Sequence, residues 1–135
     1  MSKIIESIEG IGPKHGASLR KAGVRTVEKL LEVACSKSGR KALANETGIN
    51  EKQLLRCVNM ADLFRINGVA GQFAELLEAA GVDTVKELRN RNPENLAAKM
   101  AEVNASKKLV RVTPSAKIVG RWVVQAKTLQ PKVTH

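Results

Sequence analysis

An internal repeat constrains this chain more than any other feature. Ile8, Gly10, Leu19, Ala22, Gly23, Val24, Thr26, Val27 and Leu30 recur 58 positions later as Ile66, Gly68, Leu77, Ala80, Gly81, Val82, Thr84, Val85 and Leu88. Nine of the 23 aligned pairs between residues 8 and 30 are therefore identical. The matched positions are glycines, apolar residues and one threonine, the types that set turns, cores and caps, so the repeated object is a fold unit. A looser second part sets Arg56, Val58 and Ala61 against Arg121, Val123 and Ala126 at an offset of 65, because the later copy is longer. The reading is a first repeat over 1–59 and a second over 60–135 that ends in a basic helix. A chain of 135 residues has enough length for one compact body but not for two large cores.

Local signals make both copies helical. Pro13 follows a glycine turn and suits a first helical position, where its missing N–H is no loss. Gly23 and Gly81 follow apolar runs as helix-ending residues that tolerate positive φ. Thr26 and Thr84 are good N-caps; Thr84 with Glu87, and Asn50 with Gln53, have capping-box spacing. Asn92-Pro93 and Thr113-Pro114 read as a cap followed by the first helical residue. A longer helix is expected over about 50–65, leading into the second hairpin. No segment alternates apolar and polar residues for long, so strands are not expected. The fold class is all-α, with about ten short helices joined by loops of roughly two to six residues. Aromatics are limited to Phe64, Phe73 and Trp122, so the core must be mostly Leu, Val, Ile and Ala.

The segment Ile5-x-x-Ile8-x-Gly10-Ile11-Gly12-Pro13-Lys14-x-x-Ala17-x-Leu19 resembles the helix-hairpin-helix motif. Its two glycines, the apolar residue between them and the Pro-Lys helix start all fit. Across nearly the whole chain the spacing is similar to an uncharacterised bacterial family of tandem helix-hairpin-helix proteins, catalogued as a domain of unknown function. The motif resemblance implies sequence-nonspecific binding of duplex DNA, with hairpin N–H groups meeting a phosphate across the minor groove. Glycine permits the turn and a close approach of backbone to an oxygen. The helix that follows aims free amides and its positive dipole end at the same place. Carried onto this chain, the contact set is Gly10, Ile11 (through its backbone), Gly12 and Lys14, with His15 beside them.

The next helical turns extend that set. At 100° per residue Lys14, Ser18 and Lys21 form one stripe, whereas the second copy has Gln72, Leu76 and Ala79 at those positions. Arg20 becomes Glu78, Arg25 becomes Asp83, and Ala70 replaces the second glycine, although Gly71 follows it. The second hairpin therefore reads as a packing element. The net charge of +10 favours a polyanion and is unevenly spread. Residues 1–59 carry eleven bases and six acids, 60–104 five and seven, and 105–135 seven and none. Lys107, Lys108 and Arg111 are accordingly added to the nucleic-acid set.

Each feature has a plainer reading. The Gly10-Ile11-Gly12 turn serves equally as a tight connection between packed helices. The basic residues beyond 105 are as well explained by a solvated helix face, and Trp122 by the core. The alternative function is a protein-interaction or scaffold module, in which the stripe through Leu76 and Ala79 is exposed or meets another subunit. RNA or single-strand binding ranks below both, since stacking platforms need aromatics.

An enzyme is not expected. The chain has no phosphate-cradling loop, dinucleotide fingerprint, nucleophile elbow or metal-ligand spacing. Glu6 with Glu9, and Glu75 with Glu78, sit at i,i+3 spacing as solvated helix faces. Cys35 and Cys57 suit a reducing compartment, and two histidines make a zinc site improbable. No catalytic residue, metal or cofactor is assigned. No apolar stretch has membrane-spanning length, so the location expected is cytoplasmic and the partner a nucleic acid, with a protein partner or homo-oligomer as the other option.

Overall fold

A computed structural model describes residues 3–69 and 71–135 of the chain. Among them the chain is all-helical, with eight α-helices and one 3-10 turn where about ten helices were expected. No strand is present among the described residues; a single antiparallel bridge pairs Ile4 with Thr26. The shortfall has local causes. Ahead of the first hairpin Ile5–Ser7 is only a 3-10 turn, because the bend at Gly10 follows too soon for an α-helix. Residues 109–114 stay irregular, since the Asn104 side chain holds Val110 through both its N–H (3.0 Å) and its carbonyl (2.9 Å).

The chain divides into two compact units, Met1–Asp62 with Lys132–His135, and Leu63–Pro131. In the first, the helices are α1 (Pro13–Lys21), α2 (Val27–Ala34), α3 (Lys37–Thr47) and α4 (Glu51–Leu63), whose last residue opens the second unit. Ile5, Ile8, Leu19, Val27 and Leu30 are almost wholly buried. Gly12 is the N-cap of α1 and Pro13 its first residue. The helix ends at Gly23, φ +89°, where Gly23 N–H donates to Arg20 (3.0 Å) and Val24 N–H to Leu19 (2.8 Å). That pair of bonds is a Schellman closure, and it takes up carbonyls that the helix end would otherwise leave unpaired. Thr26 caps α2 through Lys29 N–H and Ser36 caps α3 through Gly39 N–H.

Arg40 organises the far end of this unit. It is buried, and its guanidinium donates to the carbonyls of Ala34 (3.1 Å), Cys35 (3.0 Å) and Thr134 (2.6 Å). A cation at the carbonyl end of α2 also suits the helix dipole. Thr134 N–H returns a bond to Cys35 (2.9 Å), which ties the last residues to this unit. Lys132 thus groups with the first unit, apart from the other basic residues beyond 105.

The second unit holds α5 (Gly71–Ala79), α6 (Val85–Leu88), α7 (Pro93–Lys107) and α8 (Ala116–Thr128). α7 packs on both α5 and α8, and α8 also meets α6. At Gly81, φ +96°, α5 closes in the same way: Gly81 N–H donates to Glu78 (3.0 Å) and Val82 N–H to Leu77 (2.8 Å). Asn92 caps α7 and Pro93 is its first residue, as the spacing predicts. Trp122 is buried edge-on to Phe73, ring centroids 5.7 Å apart, in keeping with a core role.

Three capping expectations are corrected. α8 starts not at Pro114, which is buried in the preceding loop, but at Ala116, with Ser115 capping Ile118 N–H. Asn50 caps Lys52 N–H (2.7 Å), one position short of the box with Gln53. Thr84 caps α6 by accepting from Glu87 N–H at 3.4 Å, as expected, but the Glu87 carboxylate accepts from Arg91 (3.2 Å) instead of completing the box.

Gly39 gives a stability test. A Cβ on it would collide with the backbone carbonyl of Val33 at the end of α2. Alanine improves helix propensity by about 1 kcal/mol, whereas displacing packed backbone costs about 1–3 kcal/mol. Gly39→Ala is expected to lower unfolding stability by up to about 2 kcal/mol in a urea melt with unchanged m-value. A more stable variant would show that the two helices separate freely.

Candidate nucleic-acid interface

The first hairpin begins with Ile8, buried as an anchor, and turns through Glu9 and Gly10. Ile11 N–H closes the turn by donating to the Ile8 carbonyl at 3.3 Å. Gly10 has φ +92°, a region that favours glycine. Gly10, Gly12, Pro13 and Lys14 are exposed and Ile11 and His15 half-buried, so the bend is open to solvent.

Its amides divide into two groups. The Ile11 N–H is engaged within the turn, so Ile11 shapes the bend rather than donating from it. The N–H groups of Gly10, Gly12, Lys14 and His15 meet no acceptor among the described residues. Gly12, the N-cap, has no side chain to take up the amides of Lys14 and His15. The other helices whose starts are described differ, because Thr26, Ser36, Asn50, Thr84, Asn92 and Ser115 each accept a bond from their own first turn. The first turn of α1 also carries no acid, although Glu9 is exposed beside it.

Further along α1, Ser18 donates to the Lys14 carbonyl at 3.1 Å. Ser18 and the exposed Lys21 line a shallow groove with Ala22, Glu46 and Thr47. Arg20 is held by Glu6 in a two-pronged ion pair, so its charge is largely offset. Sequence reasoning missed one cation. Arg56 of α4 lays its guanidinium over the hairpin: a Cβ on Gly10 would lie 2.7 Å from Nη1, and the same nitrogen donates to the Glu9 carbonyl at 3.4 Å. The alignment of Arg56 with Arg121 was the available signal, but a contact across 47 residues is not readable from spacing.

The second hairpin differs in the same details. Gly68 has φ +92°, yet Trp122 lies against it, Nε1 being 3.2 Å from a Cβ placed there. Asn67 N–H donates to the Gln125 carboxamide at 2.9 Å, and Val69 N–H to Ile66 at 3.1 Å. Ala70 lies outside the described residues. Leu76 is fully buried and Ala79 half-buried, so of the stripe named in the scaffold reading only Ala79 is partly exposed. Lys107, Lys108 and Arg111 are exposed at the end of α7 and in the loop after it. Lys108 and Arg111 share a cleft of about 610 Å³ with Gln72 and Asn104, while Lys107 does not line it.

The described residues contain no group of three His, Cys, Asp or Glu side chains able to hold a metal ion. None of their helices is long and apolar enough to cross a membrane. The site is thus an open glycine turn against an uncapped helix start in an all-helical protein. The chain belongs to the family described as Domain of unknown function (DUF4332), which matches residues 9–129. No curated protein and no solved structure matches it.

The pair beside the site gives a pH test. Its hydrogen bond to Arg20, with a smaller charge effect, holds the Glu6 carboxyl below the usual carboxylate range. A carboxyl depressed in the folded state stabilises above its unfolded pKa, and that contribution fades as pH falls through the folded value. Wild type is expected to exceed Glu6→Gln in thermal stability by a constant margin above about pH 5, shrinking in more acid solution. A margin independent of pH down to about 2 would mean the ion pair adds nothing.

Proposed function

We propose that the protein is a sequence-nonspecific binder of duplex DNA that grips backbone phosphates with its first hairpin, and that it consists of two tandem helix-hairpin-helix repeats of which the second serves packing. The repeat reading is supported by matched turns, with φ of +92° at Gly10 and Gly68 and paired Schellman closures at Gly23 and Gly81. The binding reading is carried by one observation: glycine at 12 answers no need of the fold. Its φ is −80° and a Cβ there would meet nothing within 4 Å. A capping side chain at this position would take up the helix amides; glycine leaves them for a ligand. Lys14, Lys21 and Arg56 then surround those donors with positive charge, and contacts of this type position a duplex without reading its sequence.

Two measurements test it. Affinity for duplex DNA should fall with salt at a log–log slope of roughly −3 to −4 for about four phosphate contacts. Lys14→Glu with Lys21→Glu should flatten that slope by about two units. Gly12→Ser is the sharper variant. Serine is as good an N-cap as glycine or better, so stability should hold within about 0.5 kcal/mol. Its hydroxyl should occupy the Lys14 or His15 amide and weaken DNA binding about tenfold, the loss of one or two charge-assisted hydrogen bonds. Unchanged affinity in both variants would remove the hairpin from the interface.

A further inference from the structure

α8 has an outward face that the hairpin reading does not use. Pro93, Gly120 and Val124 floor an open cleft of about 710 Å³, and Lys117, Arg121 and Lys127 stand around it. Val124 is 62% exposed, although the opposite face of the same helix buries Val119, Trp122, Val123 and Ala126. None of the three cations has an ion-pair partner among the described residues. Arg91, on the same rim, is already engaged by Glu87 at 3.2 Å.

Gly120 is the telling residue. Glycine is the poorest helix former after proline, so a mid-helix glycine needs a reason. Positive φ is not one, for Gly120 does not adopt it. Crowding is not one either, since a Cβ would meet only Pro93, at an ordinary 3.8 Å. What the missing side chain leaves is a notch beside Val124, open to solvent.

From this we infer that the α8 face docks an acidic amphipathic helix of a partner protein. Apolar side chains one turn apart would seat in the notch and on Val124, and flanking carboxylates would meet Lys117, Arg121 and Lys127. A second copy of this chain fits poorly, because a two-fold contact would set these cations against themselves. Nucleic acid would satisfy the cations but leave the valine and the notch without a complement. The inference is independent of the hairpin reading.

The test uses the full chain and two synthetic helical peptides of equal negative charge, one with leucines one turn apart between glutamates, the other with glutamine replacing leucine. The leucine peptide should bind at least about tenfold more tightly, since burying a leucine is worth about that much. Gly120→Leu and Val124→Ser should each weaken it about tenfold, while Lys14→Glu with Lys21→Glu leaves it unchanged. Gly120→Ala, which fits the helix, should fold with equal or higher melting temperature and still bind less tightly. Equal binding of the two peptides, no binding of either at low salt, or indifference to Gly120→Leu would overturn the inference. Duplex DNA displacing the peptide from the Lys14→Glu/Lys21→Glu chain, with affinity insensitive to Val124→Ser, would assign the face to phosphate instead.

Discussion

A helix that begins with glycine and proline has no side chain of its own for its first amides, and the first hairpin is organised around that deficit. At the other helix starts that are described, the same problem is solved locally by Ser, Thr or Asn at the cap. At α1 the donors of Lys14 and His15 stay open, and the bend that precedes them places Gly10 and Gly12 where backbone can approach an oxygen closely. The rest of the first unit supports that bend: Ile5 and Ile8 anchor one side in the core, Leu19 the other, and Arg56 lies over Gly10. An uncapped start left in water is tolerable, because water satisfies the amides; covered by a ligand, it needs hydrogen-bond acceptors, and the helix dipole favours anionic ones.

Turns were legible in the sequence because glycine and proline act on their own backbone. Gly23 and Gly81 end helices at positive φ, and Pro13 and Pro93 begin them. The composition of the core was legible too, since Leu76 and Trp122 are buried by apolar periodicity. What could not be read were contacts between long polar side chains and distant backbone. Arg40 looks like any other basic residue in a helix, yet it holds Thr134, 94 positions away. Arg56 looks like a repeat position but lies against Gly10, while in the second unit the tryptophan one aligned position later sits against Gly68. Arg20, a base that the second copy replaces by Glu78, is committed to Glu6. Guanidinium groups reach several directions from one Cα, so their partners depend on tertiary placement rather than spacing.

Charge changes its meaning once the units are known. Read along the chain, the middle third is acidic and the final third strongly basic. Grouped by unit, the first holds twelve bases and seven acids and the second eleven and six, so each carries +5. The acids of 60–104 and the bases beyond 105 therefore belong largely to one body. Within the second unit they separate again: Glu87 neutralises Arg91, while α8 has no acid at all.

The two candidate surfaces differ in what surrounds the cations, and this argues for two kinds of ligand. Around Gly12 the neighbours are backbone donors, which favour a small hard anion and tolerate water at the contact. Around Gly120 the neighbours are valine and proline side chains, where a hydrated phosphate would leave apolar surface wet and a carboxylate helix bearing leucines would cover it. On the two proposals, the same formal charge would serve electrostatic positioning in one unit and apolar docking with charge guidance in the other. A glycine without a conformational duty lies at the centre of each: Gly12 brings no hydroxyl to cap its helix, and Gly120 brings no side chain to fill the space beside Val124.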